Sequence, residues 1–185
     1  MRNSWATLVL VAVVLFTGCA GSAPPSADGW HDGPGGANHL PLDGDLPKAA
    51  PEFAAHFTHG IYEDPTNEFA PFGSDEGWDL LHEWAEQRDQ LEPSTTLADL
   101  IEASGFADVV AEFDSTRPES MPDPGGQVDA ATVTIGAGFT LLRLTGHIDE
   151  DGRQQTLKAL DILIRYYDAP VELVRQRADL TSWTG

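Results

Sequence analysis

Three short clusters of histidine and carboxylate are the residues best suited to chemistry. His56-Phe57-Thr58-His59 sets two imidazoles at i and i+3, with Glu63 and Asp64 just beyond. On one helix both rings would share a face, which is a usable start for a zinc site. His56 and His59 are therefore the candidate metal ligands and zinc the candidate cofactor, although nothing like His-Glu-x-x-His is present. In a chain with 30 acidic residues, carboxylates fall near histidines by composition alone. His82-Glu83 reads as helix surface. His147 to Gly152 partly mimics a calcium loop, but His147 stands where the first aspartate belongs and Lys158 where a bidentate glutamate belongs. Asp149 to Asp151 are accordingly read as helix capping. No serine sits in a nucleophile elbow, and Gly125-Gly126 reads as a turn, not as a phosphate cradle. With so many acids, no single carboxylate pair stands out for acid–base work, and no catalytic residue is assigned.

The remaining reactive side chain is Cys19, the only cysteine, so no disulfide can form within the chain. It ends a distinctive stretch. Arg2 gives a positive start, Trp5 to Phe16 (WATLVLVAVVLF) is an almost wholly apolar run, and Phe16-Thr17-Gly18-Cys19 closes it. The run is shorter than the roughly 20 residues a bilayer span needs, so a cleaved secretory signal over residues 1–18 is expected in place of an anchor helix. The segment resembles the lipobox of bacterial lipoproteins, with Gly18 and Cys19 matching and Phe16 standing where that family carries an aliphatic residue. The resemblance implies that the Cys19 thiol receives a diacylglyceryl group and that a lipoprotein signal peptidase cuts before it. It implies a membrane partner through that lipid and an extracytoplasmic place on the cell membrane or outer membrane. Ala20 lacks the aspartate that retains many such proteins in an inner membrane, which in a two-membrane bacterium implies the outer one.

Residues 19–51 are rich in Gly, Pro, Ala, Ser and Asp and show no hydrophobic period. Such a segment cannot bury enough apolar surface to offset its ordering, so a disordered tether is expected. As a flexible coil it would span about 30 Å. On this reading residues 52–185 fold alone as a single domain, and removing the tether leaves its stability nearly unchanged.

Charge is uneven. Residues 52–129 hold 19 acids against two arginines, a net of −17, whereas residues 130–185 hold seven acids against six bases. Nucleic acid and anionic lipid are poor partners for the first half; a basic protein partner suits it.

The elements read as mainly α, a small helical domain of about five to six helices. Phe53, Phe57 and Ile61 recur at helical spacing, with Gly60 and Pro65 limiting any helix to a short one or a turn. Ser74 or Asp75 caps a helix running to about Leu91, with Trp78, Leu80, Leu81, Trp84, Ala85 and Leu91 in a wide apolar stripe. Thr96 with Asp99 forms a capping-box variant for a second helix ended by Gly105, and residues 106–113 form a third. Residues 114–127 are a loop by composition. In residues 128–146, Val133, Ile135, Ala137, Phe139 and Leu141 alternate with small or polar residues, a period of two, while Val133, Ala137, Leu141 and Leu144 make a helical stripe. A strand needs partners and no second strand is evident, so a buried helix with Gly136 and Gly138 at close contacts is expected; the alternative is an α+β fold with a strand in 131–144. Asp149 or Asp151 caps the next helix, with Leu157, Leu160, Ile164 and Tyr167 in its stripe. Pro170 opens a last helix with Val171, Val174 and Leu180 inward.

The stretch Phe72-Gly73-Ser74-Asp75-Glu76-Gly77-Trp78-Asp79 resembles the opening of a helix in a family of small bacterial domains of unknown function. That resemblance implies no activity. The reading for the whole is a lipid-anchored extracytoplasmic protein that binds and does not catalyse, with a strongly acidic face. The alternative is a metal-binding lipoprotein or metal-dependent hydrolase centred on His56 and His59.

Overall fold

The computed structural model describes residues 45–114 and 124–185. Cys19, the apolar run before it and the tether as far as residue 44 lie outside the described residues, as do residues 115–123; the rest of the segment read as a loop is helix, Asp114 ending α4 and Pro124 to Gln127 opening α5. Among the described residues there are seven α-helices: α1 Pro51–His56, α2 Asp75–Glu86, α3 Leu97–Ala103, α4 Ala107–Asp114, α5 Pro124–Thr145, α6 Glu150–Tyr166 and α7 Val171–Ser182. Single 3-10 turns cover Gly60–Glu63 and Arg88–Gln90, and no strand occurs among the described residues.

The fold is mainly α, and the segment 131–144 is helix, not strand. α5 is the axis of the domain, packed by α1, α2, α3, α4 and α6, while α7 lies on α6. Between Ala130 and Leu144 every residue but Thr132 is buried. A helix covered on all sides shows no apolar stripe, which is why its sequence also fits an alternating pattern. Its two glycines serve opposite faces. A Cβ on Gly136 would lie 2.9 Å from the Cα of Gly77 in α2, and a Cβ on Gly138 would lie 2.3 Å from Oγ1 of Thr156 in α6. Gly146, at φ 73°, ends the helix in a left-handed conformation.

The helix starts follow local chemistry. Ser74 caps α2, its Oγ accepting the Gly77 N–H at 3.1 Å. Thr96 and Asp99 form the full capping box of α3, and the hydrogen bonds from the Thr96 backbone and hydroxyl hold the Asp99 carboxyl below its usual range. Asp149 caps two helices at once: Oδ2 accepts from Gly152 N–H at the start of α6, and Oδ1 accepts from Leu97 N–H at the start of α3. α2 stops at Glu86, short of Leu91, and the Arg88–Gln90 turn carries the chain on.

Two registers differ from expectation. α7 begins at Val171 with Pro170 as its N-cap, and it buries Leu173, Gln176 and Leu180, so Val171 and Val174 point outward. In α6 the buried line is Thr156, Ala159, Leu160 and Leu163, and Tyr167 is 44% exposed. Residues 45–50, assigned by composition to the tether, are held on the domain. Ala50 is buried, and its N–H donates to the Arg143 carbonyl at 2.7 Å. The Arg143 guanidinium donates to the Pro47 carbonyl at 2.8 Å, and Arg88 donates to the Lys48 carbonyl at 2.8 Å.

Candidate functional site

The two histidines singled out for metal binding do not share a helical face, because α1 ends at His56. His56 Nε2 lies 2.7 Å from the backbone carbonyl of Asp179, and its ring meets Trp183 edge-on at 5.1 Å. His59 is exposed and caps the following 3-10 turn, its Nδ1 accepting the Ile61 N–H at 3.2 Å. Each ring thus has one nitrogen committed to holding the backbone in place. Among the described residues no three His, Cys, Asp or Glu side chains gather as a metal-holding group.

Ser182, His56 and Asp179 do come together, with Ser182 Oγ 3.4 Å from His56 Nε2. The geometry is that of a clasp, not of a nucleophile and its base. Nε2 reaches a carbonyl oxygen that can only accept, so this nitrogen carries the proton and cannot take one from Ser182. The Ser182 hydroxyl itself donates to the same carbonyl at 2.9 Å. The Asp179 carboxylate faces elsewhere and accepts from the Tyr62 hydroxyl at 2.9 Å. Burial, and then the bond to Asp179 and its charge, push the Tyr62 phenol far above its ordinary value. His82 packs its ring against Trp78 at 3.9 Å, as helix surface. The residues of the calcium-like loop are used in capping: Asp149 as described, and Glu150 in an exposed pair with Arg153 at 2.9 Å.

The most highly connected charge was not singled out by its sequence context. Arg143, near the end of α5, is buried between the rings of Phe53 and Phe72, each centred 5.6 Å from the guanidinium carbon. It forms a two-pronged pair with Glu63 at 2.8 and 2.9 Å and also donates to the Tyr62 carbonyl. An arginine within an apolar helix is the one signal that could have marked it.

Two surface features have the character of binding sites. The first is the outward face of α2, where Asp75, Asp79, Glu83 and Glu86 are all exposed at spacings of four, four and three. These spacings place them along one line, and α2 has no Lys or Arg of its own. The second is a cleft of about 260 Å³ where the loop before α2, the first turns of α5, the end of α6 and the start of α7 meet. Its apolar lining includes Ile135, Leu163 and Leu173, and three carboxylates, Glu68, Glu76 and Asp129, also line it. No helix among the described residues is long and apolar enough to cross a membrane. Comparison of the chain with protein-family models, with curated proteins and with solved structures returned no match.

Proposed function

We propose that the chain is a lipid-anchored extracytoplasmic protein whose helical domain is a binding module, recruiting a basic protein partner through its acidic face. The observation that carries the anchoring is Cys19 placed just after Thr17-Gly18 at the end of a short apolar run that Arg2 precedes. The line of four exposed carboxylates on α2 supports the basic partner, since like charges aligned on one face attract and orient an opposite surface. Binding without catalysis is favoured by what the chemically capable side chains do: His56 clasps α1 to α7, His59 caps a turn, and Asp149 caps two helices.

The anchoring test is fractionation with mass measurement of the mature N-terminus. The wild-type chain should partition with membranes and carry a lipid mass, and Cys19→Ser should lose both. Maturation of Cys19→Ser at the same bond would overturn the lipid reading. The partner test is capture from envelope extracts at low and high salt, with Asp79→Lys/Glu83→Lys as the control. A partner retained at high salt, or retained by that variant, would remove the α2 face from the proposal. Stoichiometric zinc in protein purified from unsupplemented medium, lost in His56→Ala, would favour the metal-binding alternative.

A further inference from the structure

We propose that the cleft between the loop before α2 and helices α5, α6 and α7 binds a linear aliphatic polyamine. The cleft offers two kinds of surface in one cavity. Its apolar part is built from Ile135 of α5, Leu163 of α6 and Leu173 of α7. Its polar part is anionic: Glu68 and Asp129 are exposed, Glu76 is half-buried, and none of the three forms an ion pair among the described residues. Among the described residues no Lys or Arg lines the cleft. An anionic cavity with no internal cation selects a cationic occupant.

The arrangement discriminates between kinds of cation. The three carboxylates come from separate places on the chain, and with the other described acids and imidazoles they form no cluster that could hold a metal ion. They suit several ammonium groups spread along one molecule, joined by methylenes that lie against the apolar lining. The wall is aromatic and already in place. Phe69 and Tyr167 meet edge-on at 5.3 Å, and the Gln176 amide donates to the Phe69 carbonyl from behind. Tyr167 sits just before two consecutive left-handed residues, Asp168 at φ 58° and Ala169 at φ 60°, which set the turn into α7. A lining that combines aromatic rings with carboxylates favours an alkylammonium over a hydrated metal ion. The site takes Glu76 from the first turn of α2 but none of the four carboxylates of the exposed line, and it does not depend on the lipid anchor.

The test is calorimetric titration of the full chain with spermidine, beside magnesium chloride at matched ionic strength and a neutral alkane diol of similar length. Saturable one-to-one binding is expected for spermidine alone. Glu68→Gln/Asp129→Asn, two exposed changes, should weaken it about tenfold, since two of the three ammonium partners lose their charge. Tyr167→Ala should weaken it as well, whereas Asp79→Asn/Glu83→Gln should leave it unchanged. Equal heats from magnesium, equal loss in the α2 variant, or undiminished binding by Glu68→Gln/Asp129→Asn would each overturn the proposal, by showing general attraction to an acidic surface.

Discussion

Gly77 of α2 and Gly136 of α5 face one another so closely that a Cβ on Gly136 would stand 2.9 Å from the Gly77 Cα. Gly136→Ala must therefore push two helix backbones apart. Overpacking of this kind costs about 1–3 kcal/mol, against roughly 1 kcal/mol gained in helix propensity. A net loss is expected, seen as a melting temperature lower by several degrees. Gly138→Ala meets the buried Thr156, whose hydroxyl already donates to the Gly152 carbonyl, and should also destabilise. A raised melting temperature for either variant would mean that propensity outweighs the close approach.

Arg143 joins the 45–50 segment, the Tyr62–Glu63 turn and α5. Arg143→Met leaves the Pro47 and Tyr62 carbonyls without their donor and should cost a few kcal/mol by denaturant unfolding, since each buried acceptor left unpaired costs about 1–3 kcal/mol. Glu63→Gln should cost less, because the Glu63 side chain is 59% exposed and the amide oxygen can still accept one guanidinium N–H. The same contacts predict that a chain starting at Glu52 is measurably less stable than one starting at His39. Equal denaturation midpoints for the two would show that the segment rests on the domain without holding it.

These contacts explain much of what the sequence conceals. Residues 45–50 dock through the Pro47 and Lys48 carbonyls and the Ala50 N–H, which composition does not distinguish from those of any tether. By contrast Ser74, Thr96 with Asp99, and Asp149 were legible, since a capping side chain acts on its own neighbours. α5 was ambiguous because all-round burial erases the helical period. His56 and His59 were misplaced because the end of α1 decides their relation, and that end depends on packing. The cleft was invisible because its lining comes from Glu68 to Glu76, Val128 to Ile135, and the α6–α7 corner, stretches far apart along the chain.

Within α5, two buried threonines differ in one respect. Thr134 Oγ1 donates to the Ala130 carbonyl at 2.7 Å, whereas Thr140 Oγ1 has no hydrogen-bond partner among the described residues. Thr140→Val should stabilise by about 1 kcal/mol, because it removes a hydroxyl that lost its water and gained nothing. Thr134→Val should be neutral or destabilising. Chemical denaturation of the pair decides it, and a loss of stability in Thr140→Val would point to a partner for that hydroxyl.

Tyr62 gives a prediction at alkaline pH. Its phenol is raised in the folded state, so the unfolded chain releases this proton first. The contribution is fully present below the ordinary phenol value of about 10 and is lost as pH climbs above it. Wild type should therefore lose stability faster than Tyr62→Phe between about pH 9.5 and 11. The variant starts lower, having lost the bond to Asp179. Parallel pH profiles would show that Tyr62 does not govern the alkaline limb.

Salt should report the acidic half. With a net of −17 over residues 52–129, self-repulsion is long-ranged at 0.01 M salt, where the Debye length is about 30 Å, and nearly gone at 1 M. Melting temperature should rise from low to moderate sodium chloride. Asp79→Lys/Glu83→Lys should raise stability at low salt by roughly 0.2–0.5 kcal/mol per relieved pair and change it little at 1 M. A flat profile would mean that the carboxylates are spread widely enough not to repel.

The clasp at Asp179 also sets an order of events in time. Its carbonyl is bonded by a ring 123 residues earlier in the chain, and its carboxylate by a phenol 117 residues earlier. A chain that emerges from its N-terminus, whether from a ribosome or through a translocation pore, exposes Phe53, Phe57 and Tyr62 long before Asp179 and Trp183 arrive to cover them. The aromatic cluster lacks its α7 cover until Asp179 and Trp183 are made, and closure over so long a stretch of chain is slow. The contacts that join α1 and the Tyr62 turn to α7 therefore form only once α7 has been made.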